Sequence, residues 1–224
     1  MRASFEARRD AVRYWVKEIP RSGLFAPKLA LASIPHNIYS SPMSIIILTA
    51  LLLLSCRADR PHATDLDGHP VNPFSSNAQA TVLLFVQTDC PISNRYAPTI
   101  AALYQRFAPQ NAEFWLVYPD PKEDPATIRR HREEYSLPGK VARDTQHVLV
   151  RRVGASVTPE AVILGPRGNI LYRGRIDDRY TALDQARPQA ANHDLATALA
   201  AALAGQSPDP SVTPVIGCFI TDLQ

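Results

Sequence analysis

Residues 81–100 read TVLLFVQTDCPISNRYAPTI. Thr81 to Val86 is a β-branched and aliphatic run without a polar break, as in a strand buried on both faces. From Ser93 onward Ile100, Leu103, Tyr104 and Phe107 recur at helical spacing until Pro109 stops the pattern. Between the two lies Cys90-Pro91, so a cysteine stands at the mouth of a helix directly after a core strand. Thiol chemistry runs through the thiolate, and a helix N-terminus supplies what lowers a thiol pKa from about 8.5: free N–H groups and the positive end of a dipole. Ser93 adds a hydroxyl one turn on and Arg95 a positive charge, while Asp89 opposes them.

A cysteine at a strand end also reads as a small buried hydrophobe. What sets Cys90 apart is Val157-Thr158-Pro159 just before a second apolar run, Ala161 to Leu164. Proline cannot donate to a sheet ladder, so Pro159 marks a special turn, with a cis peptide as one form.

Other elements fall into place around these two. Phe114 to Tyr118 (FWLVY) reads as a second core strand, and Asp124-Pro125 opens a charged helix through Tyr135. Val148, Val150 and Val153 read as a short helix or turn. Ala161–Leu164 and Ile170–Tyr172 flank Gly165-Pro166-Arg167-Gly168-Asn169 as a hairpin. His193 to Leu203 is helical, with Asn192 as N-cap and Gly205 as C-cap. The order βαβα then ββα describes an α/β fold, a thioredoxin-like sandwich with a mixed central sheet flanked by helices. It spans 65–205, after a tether at 57–64 that leads into a short Asp67-Gly68 hairpin. A proline-punctuated tail, 206–224, reads as flexible and carries Cys218.

Upstream, Ile45 to Leu54 (IIILTALLLL) is about half the roughly 20 apolar residues that a spanning helix needs. It leads into Leu53-Leu54-Ser55-Cys56, which resembles a bacterial lipobox. Residues 1–56 therefore read as an N-terminal extension and signal segment, with translation starting at Met1 or Met43. Lipid on Cys56 implies an exported, periplasmic, membrane-anchored protein, leaving Cys90 and Cys218 as a pair in a compartment where disulfides persist. The net charge of +3 is partly due to the first stretch, and later arginines are interleaved with acids, which argues against a nucleic-acid partner.

TDCPISNRYAPTI, VTPEAVIL, LYRGRIDDRY and the terminal Gly217-Cys218 resemble the thioredoxin superfamily in its redoxin or alkyl-hydroperoxide-reductase-like branch, and within it bacterial exported redoxin-domain proteins. The resemblance implies Cys90 as nucleophile and Pro159 as a cis-proline facing it. It implies protein thiols and disulfides, or a small thiol or peroxide, as substrates, and a cytochrome-like electron-transfer partner. Two departures stand out. Cys90-x-x-Ser93 replaces the vicinal pair of thioredoxins, so no vicinal disulfide forms. Gln87 and Leu83 stand where peroxiredoxins place a threonine and a proline.

The leading expectation is a thiol-disulfide oxidoreductase-like redoxin using Cys90, with Thr158 and Pro159 at its substrate turn and Cys218 as a resolving thiol. The alternatives are a peroxiredoxin-like thiol peroxidase, a copper-handling assembly chaperone and a non-catalytic interaction module. Copper would require Cys90 with His147 as ligands. No cofactor motif is read in the sequence.

Overall fold

The computed structural model describes residues 63–221. The N-terminal extension, the lipobox with Cys56 and most of the tether lie outside them. Strand β3 (Ala80–Phe85) is the centre of the fold and every one of its residues is buried. Successive side chains of a strand point to opposite faces, so an unbroken apolar run serves two cores at once. Val82, Leu84 and Val86 join one cluster with Ile100, Leu103, Phe107, Leu195 and Leu199. Leu83 and Phe85 join the other with Trp115, Val117, Leu149, Val150 and Val153.

Around β3 run β1 (Ala63–Thr64), β2 (Pro70–Val71), β4 (Ala112–Tyr118), β5 (Lys140–Arg143), β7 (Glu160–Leu164) and β8 (Ile170–Gly174). They form one seven-stranded sheet in the order β2-β1-β5-β4-β3-β7-β8. β3, β4 and β5 are parallel, Val82 opposite Phe114 and Leu116 opposite Val141. β7 returns antiparallel to β3, Leu84 opposite Ala161. The helices are α1 (Pro91–Arg95), α2 (Ala97–Phe107), α3 (Pro125–Glu134), α4 (Val148–Val153) and α5 (Asp194–Leu203), and they cover both faces. This is the thioredoxin-like sandwich expected.

α3 starts where the sequence places it. Asp124 is its N-cap, the carboxylate accepting from the N–H of Thr127 at 2.7 Å, with Pro125 in the first turn. Other boundaries differ. The helix after Cys90 is two helices, broken at Tyr96, because Pro98 has no N–H to continue the first. The N-cap of α5 is His193, not Asn192, whose side chain instead donates to Asp178 at 2.9 Å. Strand β1 lies inside the stretch read as tether. Strand β5 and a small hairpin of β9 (Tyr180–Ala182) and β10 (Gln185–Ala186) are additions to the sequence reading.

The tail is not the flexible arm expected. Cys218–Phe219 forms β11, pairing antiparallel with β6 (Val157–Thr158), Cys218 opposite Thr158. Two anchors flank it. Thr213 Oγ1 shares a hydrogen bond with the Tyr172 hydroxyl at 2.7 Å and accepts from Arg175 N at 3.1 Å. Ile220 is buried in the second apolar cluster, its N–H donating to Ser156 O at 3.0 Å. Among the described residues, no helix is long and apolar enough to cross a membrane.

Candidate active site

Cys90 is the N-cap of α1, in extended conformation with Pro91 at the first helical position. Its side chain is 1% exposed. The thiol donates to the carbonyl oxygen of Thr158 at 3.1 Å. The Thr158-Pro159 peptide bond is cis, and Thr158 is fully buried. Because β11 lies on β6, the Cys218 thiol also reaches the Cys90 sulfur, and both cysteines are free thiols.

The two sulfurs are electrostatically unlike. Burial raises the Cys90 pKa, but hydrogen bonds from the Cys218 thiol, the Ser93 hydroxyl and N–H, and the Thr158 side chain outweigh it, so the thiol lies below its ordinary value. Cys218 is pushed up to about 12 by burial, by its hydrogen bond to Cys90 and by the charge of Asp89. Negative charge is thus favoured on Cys90 over Cys218. Ser93 is buried and its hydroxyl has no partner of ordinary hydrogen-bond geometry; the group that it acts on is the Cys90 sulfur. Arg95 is exposed at the far end of α1 and is not among the main groups acting on the thiol.

The loop before Cys90 is fixed by groups that sequence reading passed over. Gln87 Nε2 donates to Asp120 at 3.1 Å, and the N–H of Thr88 donates to Glu123 Oε1 at 2.5 Å. Asn94 Nδ2 donates to Thr88 O at 3.0 Å, which turns its Oδ1 toward His131 Nε2 at 2.8 Å. That acceptor places the imidazole proton on Nε2 and leaves Nδ1 to accept from the Tyr118 hydroxyl at 3.0 Å. Desolvation holds the His131 pKa down, in keeping with a neutral ring. On the other side Glu160 clamps the turn before Pro159, accepting from Ser156 N at 2.9 Å. These contacts are tertiary, and only the residue types were legible in the chain.

His147 is buried at the start of α4, and its Nε2 is bonded to Pro119 O at 3.0 Å rather than to the Cys90 sulfur. Among the described residues, one cluster has three candidate metal ligands, Asp65, Asp67 and His69 in the β1–β2 turn. A concavity of about 860 Å³ around Ser76, Glu113 and Lys140 opens at the opposite end of the sheet and contains no thiol.

Glu123 makes the site's surroundings sensitive to pH. Its Oε2 is buried without a hydrogen-bond partner, and burial pushes the carboxyl up to about 7, aided by Asp120 and Asp89 and opposed by the Thr88 N–H. Arg143 donates to its main-chain oxygen at 2.9 Å, and Tyr118 lies within reach of its charge. A raised carboxyl pKa means that the folded chain holds the proton more firmly than the unfolded one, where it titrates near about 4.3. Stability therefore falls as pH climbs through that window and levels off above about 7. The linkage is worth about 4 kcal/mol at most. Glu123→Gln keeps the acceptor for Thr88 and should flatten the window and stabilise the protein at pH 8. Urea midpoints at pH 5 and pH 8 check this; a pH dependence identical to the parent's refutes it.

The fold is that of a thioredoxin-like redoxin. Residues 56–173 match the AhpC/TSA family, and the chain belongs to it. No curated protein matches the chain. Among solved structures, an uncharacterized conserved protein from Geobacillus kaustophilus is 25% identical, with a TM-score of 0.62 over 72% of this chain and 88% of that one. A hypothetical protein from Sinorhizobium meliloti 1021 is 21% identical, with a TM-score of 0.60 over 72% of this chain and 91% of that one. A secreted Mycobacterium tuberculosis disulfide oxidoreductase homologous to E. coli DsbE shows a weaker likeness: 22% identity and a TM-score of 0.42 over 48% of this chain and 78% of that one.

Proposed function

We propose that this protein is an exported thiol-disulfide oxidoreductase whose redox pair is Cys90 and Cys218, acting on protein thiols and disulfides and tethered to the membrane by lipid on Cys56. The observation that carries the reading is that both cysteines meet at Thr158, whose carbonyl oxygen accepts from the Cys90 thiol at 3.1 Å and which is paired with Cys218 across β6 and β11; the pKa of Cys90 is lowered and that of Cys218 raised. Such a pair cycles without a vicinal partner: the Cys90 thiolate and the Cys218 thiol lose two electrons to a disulfide oxidant, the Cys218 proton passes to one of the oxidant's departing sulfurs, and the two cysteines become linked. Ser93 supplies a hydrogen bond to the sulfur and no redox electron. A cytochrome-like protein as electron partner fits the same reading.

Mild oxidation with diamide followed by non-reducing peptide mapping tests it. The expected result is a single linked peptide pair joining Cys90 to Cys218, at protein concentrations where intermolecular links do not form. Two unlinked cysteines, or sulfenic acid on Cys90 alone, would overturn the pairing.

A further inference from the structure

We propose that the thiol which receives the outside partner is Cys218 and that Cys90 is the leaving group behind it. The inference rests on the pairing proposed above and assigns the order of attack within it. Thiol-disulfide exchange is governed by which sulfur a nucleophile can reach and by which sulfur leaves more readily. Access and leaving ability select the same sulfur here.

Access favours Cys218. Cys90 is 1% exposed, closed in by Thr158, Ser93 and the tail itself. Cys218 is only half-buried, on the two-residue strand β11, which has β6 as its one strand neighbour among the described residues. Leaving ability favours the departure of Cys90. The Ser93 hydroxyl and N–H and the Thr158 side chain favour a thiolate at that position, whereas Asp89 opposes one on Cys218.

The step balances. An incoming thiolate attacks the Cys218 sulfur of the Cys90–Cys218 disulfide and forms a new S–S bond to it. The old S–S bond breaks and Cys90 departs with the electron pair as thiolate. A second thiolate, from the same partner, then attacks the partner's sulfur in the mixed disulfide and displaces Cys218, which takes a proton. The partner has lost two electrons and both protein cysteines are reduced. Run in reverse, the same intermediate carries the partner on Cys218. The arrangement suits a partner with two thiols on a narrow segment, because the first must reach a sulfur lying in a strand.

The test uses the full chain, oxidised with diamide, mixed with glutathione at about one equivalent and quenched within seconds by acid and N-ethylmaleimide. Peptide mapping then locates the adduct. The expected product has glutathione on Cys218 and N-ethylmaleimide on Cys90, in excess over the converse by about tenfold or more. Glutathione on Cys90 with Cys218 alkylated overturns the assignment while leaving the pair intact. A diamide-treated sample with no Cys90–Cys218 link removes the pair and this inference together.

Discussion

Serine in place of Cys90 is expected to remove redox turnover and, with it, the dependence of stability on redox state. An oxygen in that position forms no disulfide, so thiol oxidation should fall to background, by about a hundredfold or more, as for other groups that act as one unit. The second effect is thermodynamic. A link between Cys90 and Cys218 closes a loop of roughly 130 residues, and loop-closure entropy assigns such a link about 4–5 kcal/mol of stabilisation. The parent should therefore unfold at markedly higher urea when oxidised than when reduced, and both Cys90→Ser and Cys218→Ser should show no gap. Cys218→Ser is the gentler change, since its hydroxyl can still donate to the Cys90 sulfur. Turnover surviving in Cys218→Ser would mean that Cys90 relies on an external thiol instead. A redox-dependent gap surviving in either variant would place the stabilising link elsewhere.

Gly217→Val is expected to open the site by force. A Cβ at this position would lie 2.3 Å from the Thr158 carbonyl oxygen and 2.7 Å from its carbon, backbone that cannot turn aside. Glycine is needed here for the closeness of two backbone segments, not for an unusual φ. With a valine the tail must lift away from β6, separating Cys218 from the Cys90 sulfur and uncovering it. The overpacking should destabilise the protein by about 1–3 kcal/mol. Alkylation of Cys90 by iodoacetamide at neutral pH should rise by about tenfold or more as its present 1% exposure increases. The yield of the intramolecular disulfide should fall in the same variant. Parent-like alkylation and disulfide yield, in a protein that is still folded, would show that the tail does not guard the thiol.

Elements that announce themselves locally were legible. The run at β3 could be read because a strand with two buried faces has no polar position to disguise it, and α3 because Asp124-Pro125 is a complete start signal. β5 escaped because it is four residues long, Lys140-Val141-Ala142-Arg143, with only its middle pair buried. Its partner β4 lies more than twenty positions upstream, so no local pattern marks it. At the site, Cys90, Thr158 and Pro159 were legible from residue type and neighbours. Glu123 was not, since Lys122-Glu123-Asp124 reads as solvated charge, and only the folding of the loop onto Thr88 buries one carboxyl among them. The tail shows the same limit in the opposite direction. Its prolines suggest freedom, whereas its fixation comes from Thr213 and Ile220, whose partners belong to other strands and to the second core.

Those two fixed points also limit how the site can open. A free arm would swing aside whole. Here six residues lie between Thr213 and Ile220, and Cys218 and Phe219 among them are paired with β6, so uncovering Cys90 means breaking that pairing within a short span held at both ends.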